Sequence, residues 1–366
     1  MKDTHIKPSS IWFSGLVFLL LWLTACSPSS QEDNQAKSKN QTNPELFKTQ
    51  LYVFGTLADI SIWAADKETA EEATAAVAAD FQQMHHDWHA WEPGPLVALN
   101  AAIATGKTVT VPDTLMPLIE RSQEIYLSSE GRFNAGIGRL LNLWGFQSSE
   151  RPHGPPPSRE SINSLLEQHP AMTDLQLQDG VLSSSNPAVQ MDFGGIAKGY
   201  AVELALQRLQ SFGIENAIVN TGGGLGVIGK HDDRYWTIGI RHPQGEGVLA
   251  SLEIHDGEHM HTSGNYERFR EHEGLRYSHI LDPRTGWPVD SITSCTVISK
   301  DGTLADAAAT ALVIAGSEDW QAVAKQMAVR YVMLVSEDGT VYMSPDMAER
   351  VQFIGQEPNT VLVVNL

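Results

Sequence analysis

The chain has little cysteine and little positive charge. Only two cysteines occur among 366 residues, and 25 Lys and Arg residues stand against 44 Asp and Glu residues, giving a formal net charge of -19 at pH 7. This excess of negative charge repels phosphate backbones, so it argues against a nucleic-acid partner and against electrostatic binding to a membrane surface. If the substrate carries phosphates, a cation must lie between the substrate and this protein.

The N-terminal apolar run is too short to span a bilayer, which needs about 20 residues. It covers residues 11–23, follows Lys2 and Lys7, and ends in Leu-Thr-Ala-Cys. These features predict a signal peptide over residues 1–25. The ending resembles a bacterial lipobox, which predicts that Cys26 is lipidated, with palmitate among its acyl chains. An ordinary cleaved signal with a bystander cysteine is the alternative.

Lipidation of Cys26 would leave Cys295 without a partner and so exclude a disulfide. We expect Cys295 to be a small buried residue in a strand. After Cys26, residues 26–46 have almost no apolar side chains, and this composition predicts a flexible tether. Residues 47–366 are predicted to form the globular part. The expected location is the periplasmic side of the bacterial inner membrane, with the protein attached by its lipid.

The spacing of apolar residues predicts four helices and several short strands, without regular strand–helix alternation. The fold class is therefore α+β, with mixed, largely antiparallel sheets packed with helices. The predicted helices are 68–88, 115–126, 196–212 and 304–315. The predicted strands are 51–64, 214–220, 235–241, 248–254, 293–299 and 330–336, and residues 148–160 are predicted to be a Pro-rich loop.

The stretch NTGGGLGVIG, residues 220–229, contains the spacing Gly224-x-Gly226-x-x-Gly229 of a dinucleotide fingerprint. That fingerprint requires a helix to begin within it, because the pyrophosphate binds at the N-terminus of that helix. Here a turn and a strand follow, so the dinucleotide interpretation fails. The glycines permit either a tight connection between strands or the close approach of a flat ligand.

In VQMDFGGIAKGYA, residues 189–201, a strand ends before Asp192, and a helix begins after Gly194 and Gly195. Glycines at a helix N-terminus let backbone groups approach a phosphate or its metal. Lys198 stands near the helix start, where the helix dipole disfavours a cation, and a phosphate ligand would offset that cost. The alternative is a plain capped helix.

In LADAAATAL, residues 304–312, Asp306 and Thr310 are four residues apart and share one helix face. A carboxylate among apolar neighbours is costly unless it is paired or bound to a metal. Asp and Thr oxygens are hard ligands that suit Mg²⁺. A solvent-facing Asp on an Ala-rich helix is the alternative.

His259 and His261 alternate as on a strand, in the stretch HMHTSG. A transition-metal pair is disfavoured, because no cysteine or third ligand follows at suitable spacing. Residues 262–264 could instead offer hydroxyl and backbone groups to a ligand.

The stretch SHILDPRTGWP places His279 before a turn that Pro283 and Gly286 form. Formation of the turn accounts for Pro283 and Gly286 but not for His279. The histidine is either a buried core residue or a residue of a functional site.

Taken together and in order, these motifs resemble the ApbE family, the FAD:protein FMN transferases. The resemblance spans the whole globular part and implies an ApbE-like core related to the T-fold. The residues that match are 55–56, 131–146, 192–200, 262–264, 279–286 and 305–310.

The resemblance implies a Mg²⁺-dependent transferase with FAD as its substrate. It would move FMN to a threonine hydroxyl of a flavoprotein subunit in a membrane redox complex of the Nqr or Rnf type, and release AMP. Two rival functions stay open at this point. One is a periplasmic FAD pyrophosphatase that releases FMN and AMP, and the other is a non-catalytic, lipid-anchored flavin-binding protein.

The resemblance also assigns roles to residues. His279 would act as general base or charge stabiliser, with Asp282 fixing its turn. The metal would be held by the Gly195 carbonyl, Asp306 and Thr310, although the family more often has Ala, Ser or Thr at the glycine. Contacts to the flavin and nucleotide would map to Phe54, Trp91, Arg132, Phe133, Asn134, Asp192, Lys198 and Ile280. The family usually has Asp at position 134 and often Tyr at position 91.

Overall fold

Helices and short strands alternate irregularly along the chain. The structure, a computed structural model, describes residues 44–64, 66–355 and 357–366. The predicted signal peptide, Cys26 and most of the tether lie outside the described residues. The helices are α1 (Lys67–Trp88), α2 (Pro95–Ala104), α3 (Met116–Ser128), α4 (Gly138–Leu143), α5 (Arg159–Leu166), α6 (Ala197–Ser211), α7 (Gly302–Gln326) and α8 (Pro345–Ala348), with a 3₁₀ turn at Met172–Asp174.

The strands are mostly short. They are β1 (Glu45–Val53), β2 (Thr56–Ala64), β3 (Val109–Thr110), β4 (Leu175–Gln178), β5 (Val181–Ser184), β6 (Ala217–Asn220), β7 (Gly224–Ile228), β8 (Trp236–Arg241), β9 (Val248–Ile254), β10 (His259–Gly264), β11 (Phe269–His272), β12 (Leu275–Ser278), β13 (Ile292–Ser299), β14 (Tyr331–Ser336), β15 (Val341–Met343), β16 (Gln352–Phe353) and β17 (Val361–Val363).

A nine-stranded sheet organises the fold, in the order β1-β2-β6-β7-β10-β13-β14-β15-β17. All neighbours pair antiparallel except β15 and β17, which are parallel. Three smaller sheets are formed by β11-β12, β16-β9-β8 and β3-β5-β4. The α+β class with largely antiparallel sheets is therefore confirmed.

The large sheet is covered on both faces. Helices α6 and α7 pack on one face against β7, β10 and β13. On the other face, Leu225 and Val227 of β7 join a separate apolar cluster with β8 and β9. Since side chains alternate along a strand, Gly224 and Gly226 face the helices. The absence of side chains at these two positions leaves room on the helix side of the sheet.

The glycine-rich stretch 220–229 does make a tight strand connection. Gly222 adopts a φ of 75° between β6 and β7, and the Thr221 amide donates to the Gly224 carbonyl at 2.8 Å. A strand follows, and no helix starts in these ten residues. The rejection of the dinucleotide fingerprint is confirmed.

One predicted strand is wrong in its extent. Residues 51–64 do not form a single strand, because β1 and β2 pair as a hairpin with Val53 opposite Thr56. The turn residues Phe54 and Gly55 have φ values of 54° and 72°. The left-handed conformation is expected for glycine but uncommon for phenylalanine, so only Gly55 signals the turn in the sequence.

The predicted helices are confirmed, with one extension. The helix predicted over 304–315 begins at Gly302, where the Asp301 side chain accepts from the Leu304 amide, and it continues to Gln326 across a kink at Gly316, whose φ is 73°. Within the described residues, no helix combines the length and the apolar character needed to cross a bilayer.

Helices α6 and α7 approach closely at Gly199. A Cβ placed on this glycine would overlap the Gly302 carbonyl oxygen and lie 2.8 Å from the Cβ of Asp306. The missing side chain therefore sets the distance between the two helices.

We predict that Gly199→Ala lowers the free energy of unfolding by about 1–3 kcal/mol, because the added methyl must push the helices apart. Urea unfolding followed by circular dichroism measures it. Gly223→Ala is the matched control, since a Cβ there meets nothing nearer than 3.7 Å. An unchanged stability in Gly199→Ala would contradict this account of the helix contact.

Candidate active site

Two pairs of polar side chains face each other between β10 and α7. His261 and Ser263 project from the strand, and Asp306 and Thr310 project from the helix. Nδ1 of His261 lies 3.6 Å from Oδ1 of Asp306, and the hydroxyls of Ser263 and Thr310 are 3.0 Å apart. Asp306 is only 6% exposed. The alternative of a solvent-facing Asp306 is therefore wrong.

The turn before α6 lies against this helix face. A Cβ on Gly195 would stand 3.4 Å from the Thr310 hydroxyl, and the Gly199 amide donates to Oδ2 of Asp306 at 2.9 Å. Within the described part of the chain, no backbone amide donates to the Gly195 carbonyl. The structure thus brings together Gly195, Asp306 and Thr310, which the family resemblance implies as metal ligands, and leaves the Gly195 carbonyl without a backbone hydrogen bond among the described residues.

The carboxyl group of Asp306 is held in its charged form. Burial alone would raise its pKa, but the nearby His261, the charge of Lys198 and the Gly199 amide lower the pKa below its ordinary value. Across residues 44–64, 66–355 and 357–366, no three His, Cys, Asp or Glu side chains are grouped so as to hold a metal. A cation here would need neutral oxygens, which Thr310 and Gly195 supply, and such a set suits Mg²⁺.

His279 follows β12 directly, at the edge of the turn. Both its backbone amide and its ring Nδ1 lie 3.0 Å from the Arg268 carbonyl oxygen. A carbonyl can only accept, so Nδ1 bears the proton and Nε2 of the neutral ring keeps its lone pair. Burial, then the charges of Lys198 and Arg268, lower the pKa of His279 to about 4 despite that hydrogen bond. The ring is thus a neutral base at pH 7.

The turn after His279 is held by its own side chains. Asp282 accepts from the Arg284 amide and from its guanidinium, at 2.9 Å and 2.8 Å, and Gly286 has a φ of 70°. The Trp144 indole donates to the Gly286 carbonyl at 2.9 Å. The contacts of Asp282 lie within the turn itself, and Trp144 binds the turn from outside. This arrangement is what we expect if Asp282 has a structural role.

Ring contacts run without a break from Phe54 through His85 and His89 to Trp91. Phe54 stacks on Trp88 with ring centres 6.3 Å apart. The His89 ring lies 4.4 Å from that of Trp91, and the Arg268 guanidinium lies 5.9 Å from the Trp91 ring. Trp91 is 36% exposed, so it offers an apolar surface to a ligand. Two predicted flavin contacts, Phe54 and Trp91, therefore belong to one aromatic border.

Asp192 and Lys198 bracket the turn that leads into α6. Asp192 accepts from the Gly194 amide at 2.9 Å and from the Gln147 side chain at 2.8 Å. The Lys198 ammonium lies close enough to Asp306 and His279 to lower the pKa of each. Lys198 thus supplies positive charge between the candidate metal ligands and the candidate base.

Four other predicted contact residues have protein partners of their own. Arg132 pairs with Glu130 and Asp319 at 2.9 Å and 2.7 Å. The Asn134 side chain donates to the Pro170 carbonyl and accepts from the Gly136 amide. Phe133 lies under Gly195, and Ile280 is buried in the main core. The contacts of Arg132, Asn134 and Ile280 are made outside the group around Asp306.

Sequence reasoning missed His261 as the neighbour of Asp306, and Arg268 as the residue that holds His279. A signal existed for the first. His261 and Ser263 are two residues apart on a strand, and Asp306 and Thr310 are four apart on a helix, so each pair lies on one face. Only the tertiary structure sets the two faces against each other. Arg268 acts through its backbone, which leaves no sequence signal.

Comparisons with known proteins show the family of this chain. The ApbE family model matches residues 54–333, and the chain belongs to the ApbE family. The crystal structure of the ApbE protein of Thermotoga maritima is 30% identical, with a TM-score of 0.76 over 84% of this chain and 99% of that one.

Two curated relatives are FAD:protein FMN transferases. The one from Rhodobacter capsulatus is 42% identical over 324 residues, which are 88% of this chain and 62% of the relative. The one from Vibrio cholerae serotype O1 is 35% identical over 216 residues, which are 57% of this chain and 63% of the relative. The matches thus span just under two thirds of the length of either relative.

We predict that the His279 ring does not titrate between pH 8 and about pH 5.5, since its pKa is lowered to about 4. The unfolded chain takes up this proton near pH 6.5, so this group makes stability fall as the pH drops from about 6.5 to 4. NMR of ¹⁵N-histidine protein measures the titration, and His279→Gln identifies the resonance. A ring that titrates near pH 6.5, or is protonated on Nε2 alone, would contradict the geometry.

Proposed function

We propose that this protein transfers the FMN part of FAD to a threonine hydroxyl of an acceptor flavoprotein subunit, and releases AMP. The observation that supports it is the meeting of Asp306, Thr310 and the Gly195 turn beside Lys198 and a neutral His279. The relatives named FAD:protein FMN transferase support the same reaction. The acceptor we propose is a subunit of a membrane redox complex of the Nqr or Rnf type.

The reaction needs one base and one source of positive charge. The threonine oxygen forms a bond to the phosphorus on the FMN side, and the pyrophosphate P–O bond breaks, so that AMP leaves with the bridging oxygen. Nε2 of His279 accepts the threonine proton, because Nδ1 is committed to the Arg268 carbonyl. Lys198 stabilises the negative charge that grows on the phosphate oxygens.

The residues present fit a Mg²⁺ ion. Asp306, Thr310 and the Gly195 carbonyl are hard oxygen donors, and Asp306 is buried and held as a carboxylate. Bound Mg²⁺ would neutralise pyrophosphate charge, which a chain of net charge -19 cannot do with its own side chains alone. The Gly199 amide holds the orientation of the carboxylate from the protein side.

The flavin would meet the aromatic border. Phe54 sits at the tip of the β1–β2 hairpin, and Trp91 is partly exposed beside the Arg268 guanidinium. Flat aromatic faces and a guanidinium suit a planar, polar ring system. Phosphates of the same molecule would then extend towards Lys198 and the start of α6, where backbone and ammonium groups favour anions.

The test is mass spectrometry of the acceptor subunit after incubation with the full chain, FAD and Mg²⁺. We expect the acceptor to gain the mass of one FMN phosphoester, with one AMP released for each. Release of FMN and AMP without a modified acceptor would make the protein an FAD pyrophosphatase. Binding of FAD with no cleavage would make it a flavin-binding protein. Either result would overturn the proposal.

In the same assay we predict that Asp306→Ala abolishes transfer, because it removes the carboxylate that shares a helix face with Thr310 and accepts from the Gly199 amide. Asp306→Asn keeps the shape and should fail almost equally, since the charge is lost. Thr310→Val should weaken Mg²⁺ affinity more mildly and be partly rescued by excess Mg²⁺, because a neutral hydroxyl contributes less than a carboxylate. Full activity of Asp306→Asn, or activity undiminished by EDTA, would exclude the cation site.

We also propose that the protein is exported and anchored through a lipid on Cys26, on the periplasmic side of the inner membrane. The Leu-Thr-Ala-Cys ending of the N-terminal segment supports it. We predict that Cys26→Ser gives an exported protein in the soluble fraction with unchanged transfer activity, since the polar residues 27–43 separate the anchor from the described fold. Fractionation and a fatty-acid label measure it. A variant that stays in the membrane after signal cleavage would contradict the anchor.

A further inference from the structure

Two histidine rings fill the space that glycines leave between the sheet and the helices. His259 and His261 stand opposite Gly226 and Gly224 in the β7–β10 pair. A Cβ on Gly224 would overlap Nδ1 of His261, and a Cβ on Gly226 would lie 2.5 Å from Nδ1 of His259. The Gly224-x-Gly226 spacing is therefore matched to two flat imidazole rings of the chain itself.

His261 has no hydrogen-bond partner among the residues that the structure describes. The residue is fully buried, and neither of its ring nitrogens contacts a donor or acceptor within hydrogen-bond distance. Nδ1 points to Oδ1 of Asp306, but 3.6 Å is too long for a hydrogen bond. Burying an imidazole without partners is unfavourable, so a ligand that engages it would be favoured.

The separation of these two atoms suits two ligands of one cation. Donors about 2.1 Å from a metal stand about 3.0–3.5 Å from each other in octahedral or tetrahedral geometry. A small rotation of either side chain brings the 3.6 Å separation into this range. Imidazole nitrogen is a poor ligand for Mg²⁺ and a good one for first-row transition metals.

We propose that His261 is a nitrogen ligand beside Asp306, and that the site therefore prefers Mn²⁺ and similar first-row cations to Mg²⁺. This inference rests on the cation site of the proposed function and adds a residue that sets its metal preference. The cation would bind between the strand and α7, with Thr310 and the Gly195 carbonyl on its other side. Gly224 would be required, because any larger residue displaces the ring.

The chain contains a matched control. His259 lies on the same face of the same strand, is 5% exposed, and has an unpartnered Nδ1 over Gly226. Among the described residues, no carboxylate oxygen lies within 4.0 Å of its ring nitrogens, whereas His261 faces Asp306. Replacing either histidine removes a buried ring from similar surroundings. Only the replacement of His261 removes a ring next to the Asp306 carboxylate.

The experiment measures cation binding by the full chain without FAD. The EPR signal of free Mn²⁺ gives the Mn²⁺ affinity, and competition by Mg²⁺ gives the second affinity. We expect His261→Asn to weaken Mn²⁺ binding at least tenfold while Mg²⁺ binding changes less than twofold. His259→Asn should leave both affinities unchanged. In wild type, electron spin-echo spectra of bound Mn²⁺ should show coupling to ¹⁴N, and His261→Asn should lose it.

The outcomes separate this inference from the proposed function. If Asp306→Ala abolishes binding of both cations but wild-type Mn²⁺ shows no ¹⁴N coupling, His261 is not a ligand and the inference is overturned, while the oxygen site stands. An unchanged Mn²⁺ to Mg²⁺ preference in His261→Asn overturns it equally. If Asp306→Ala binds both cations normally, the cation site itself is wrong. The spectra of wild type need no variant, so a misfolded mutant cannot leave the question open.

Discussion

The hydrogen bond from the Gly199 amide to the Asp306 carboxylate is the contact on which the site depends. It joins the first turn of α6 to the first turns of α7, at the place where the missing Gly199 side chain lets the helices meet. Once the carboxylate is fixed there, Thr310 lies one turn further along the same helix, under the Gly195 turn. The contact between α6 and α7 therefore also sets the positions of the Asp306 and Thr310 side chains.

The acidic composition shapes the chemistry that such a site can perform. The chain has a net charge of -19, and among the described residues Lys198 places a positive charge near both Asp306 and His279. Its charge has two effects of the same origin. It lowers the pKa of both groups, so one ammonium favours the charged form of the Asp306 carboxyl and the neutral form of the His279 imidazole.

The sequence was sufficient for the α+β class, for the helices from Lys67 and Ala197, and for the pairing of Asp306 with Thr310, because those follow from local spacing. It was insufficient where a residue acts through a distant partner. The hairpin at Phe54 requires a phenylalanine in a left-handed conformation, which local preferences disfavour. His261 and Asp306 are 45 positions apart in the chain and meet only because β10 and α7 pack together.

The proton on His279 is held by a main-chain oxygen, that of Arg268, and this has an evolutionary consequence. Any residue at position 268 supplies the same carbonyl, so substitution there leaves the form of the base intact. The Arg268 side chain, which lies by Trp91, affects the His279 ring through its charge, which lowers the pKa of His279. The position of the proton and the charge beside the ring therefore come from different atoms of one residue, so a change of the side chain can alter the pKa of His279 without moving the proton from Nδ1.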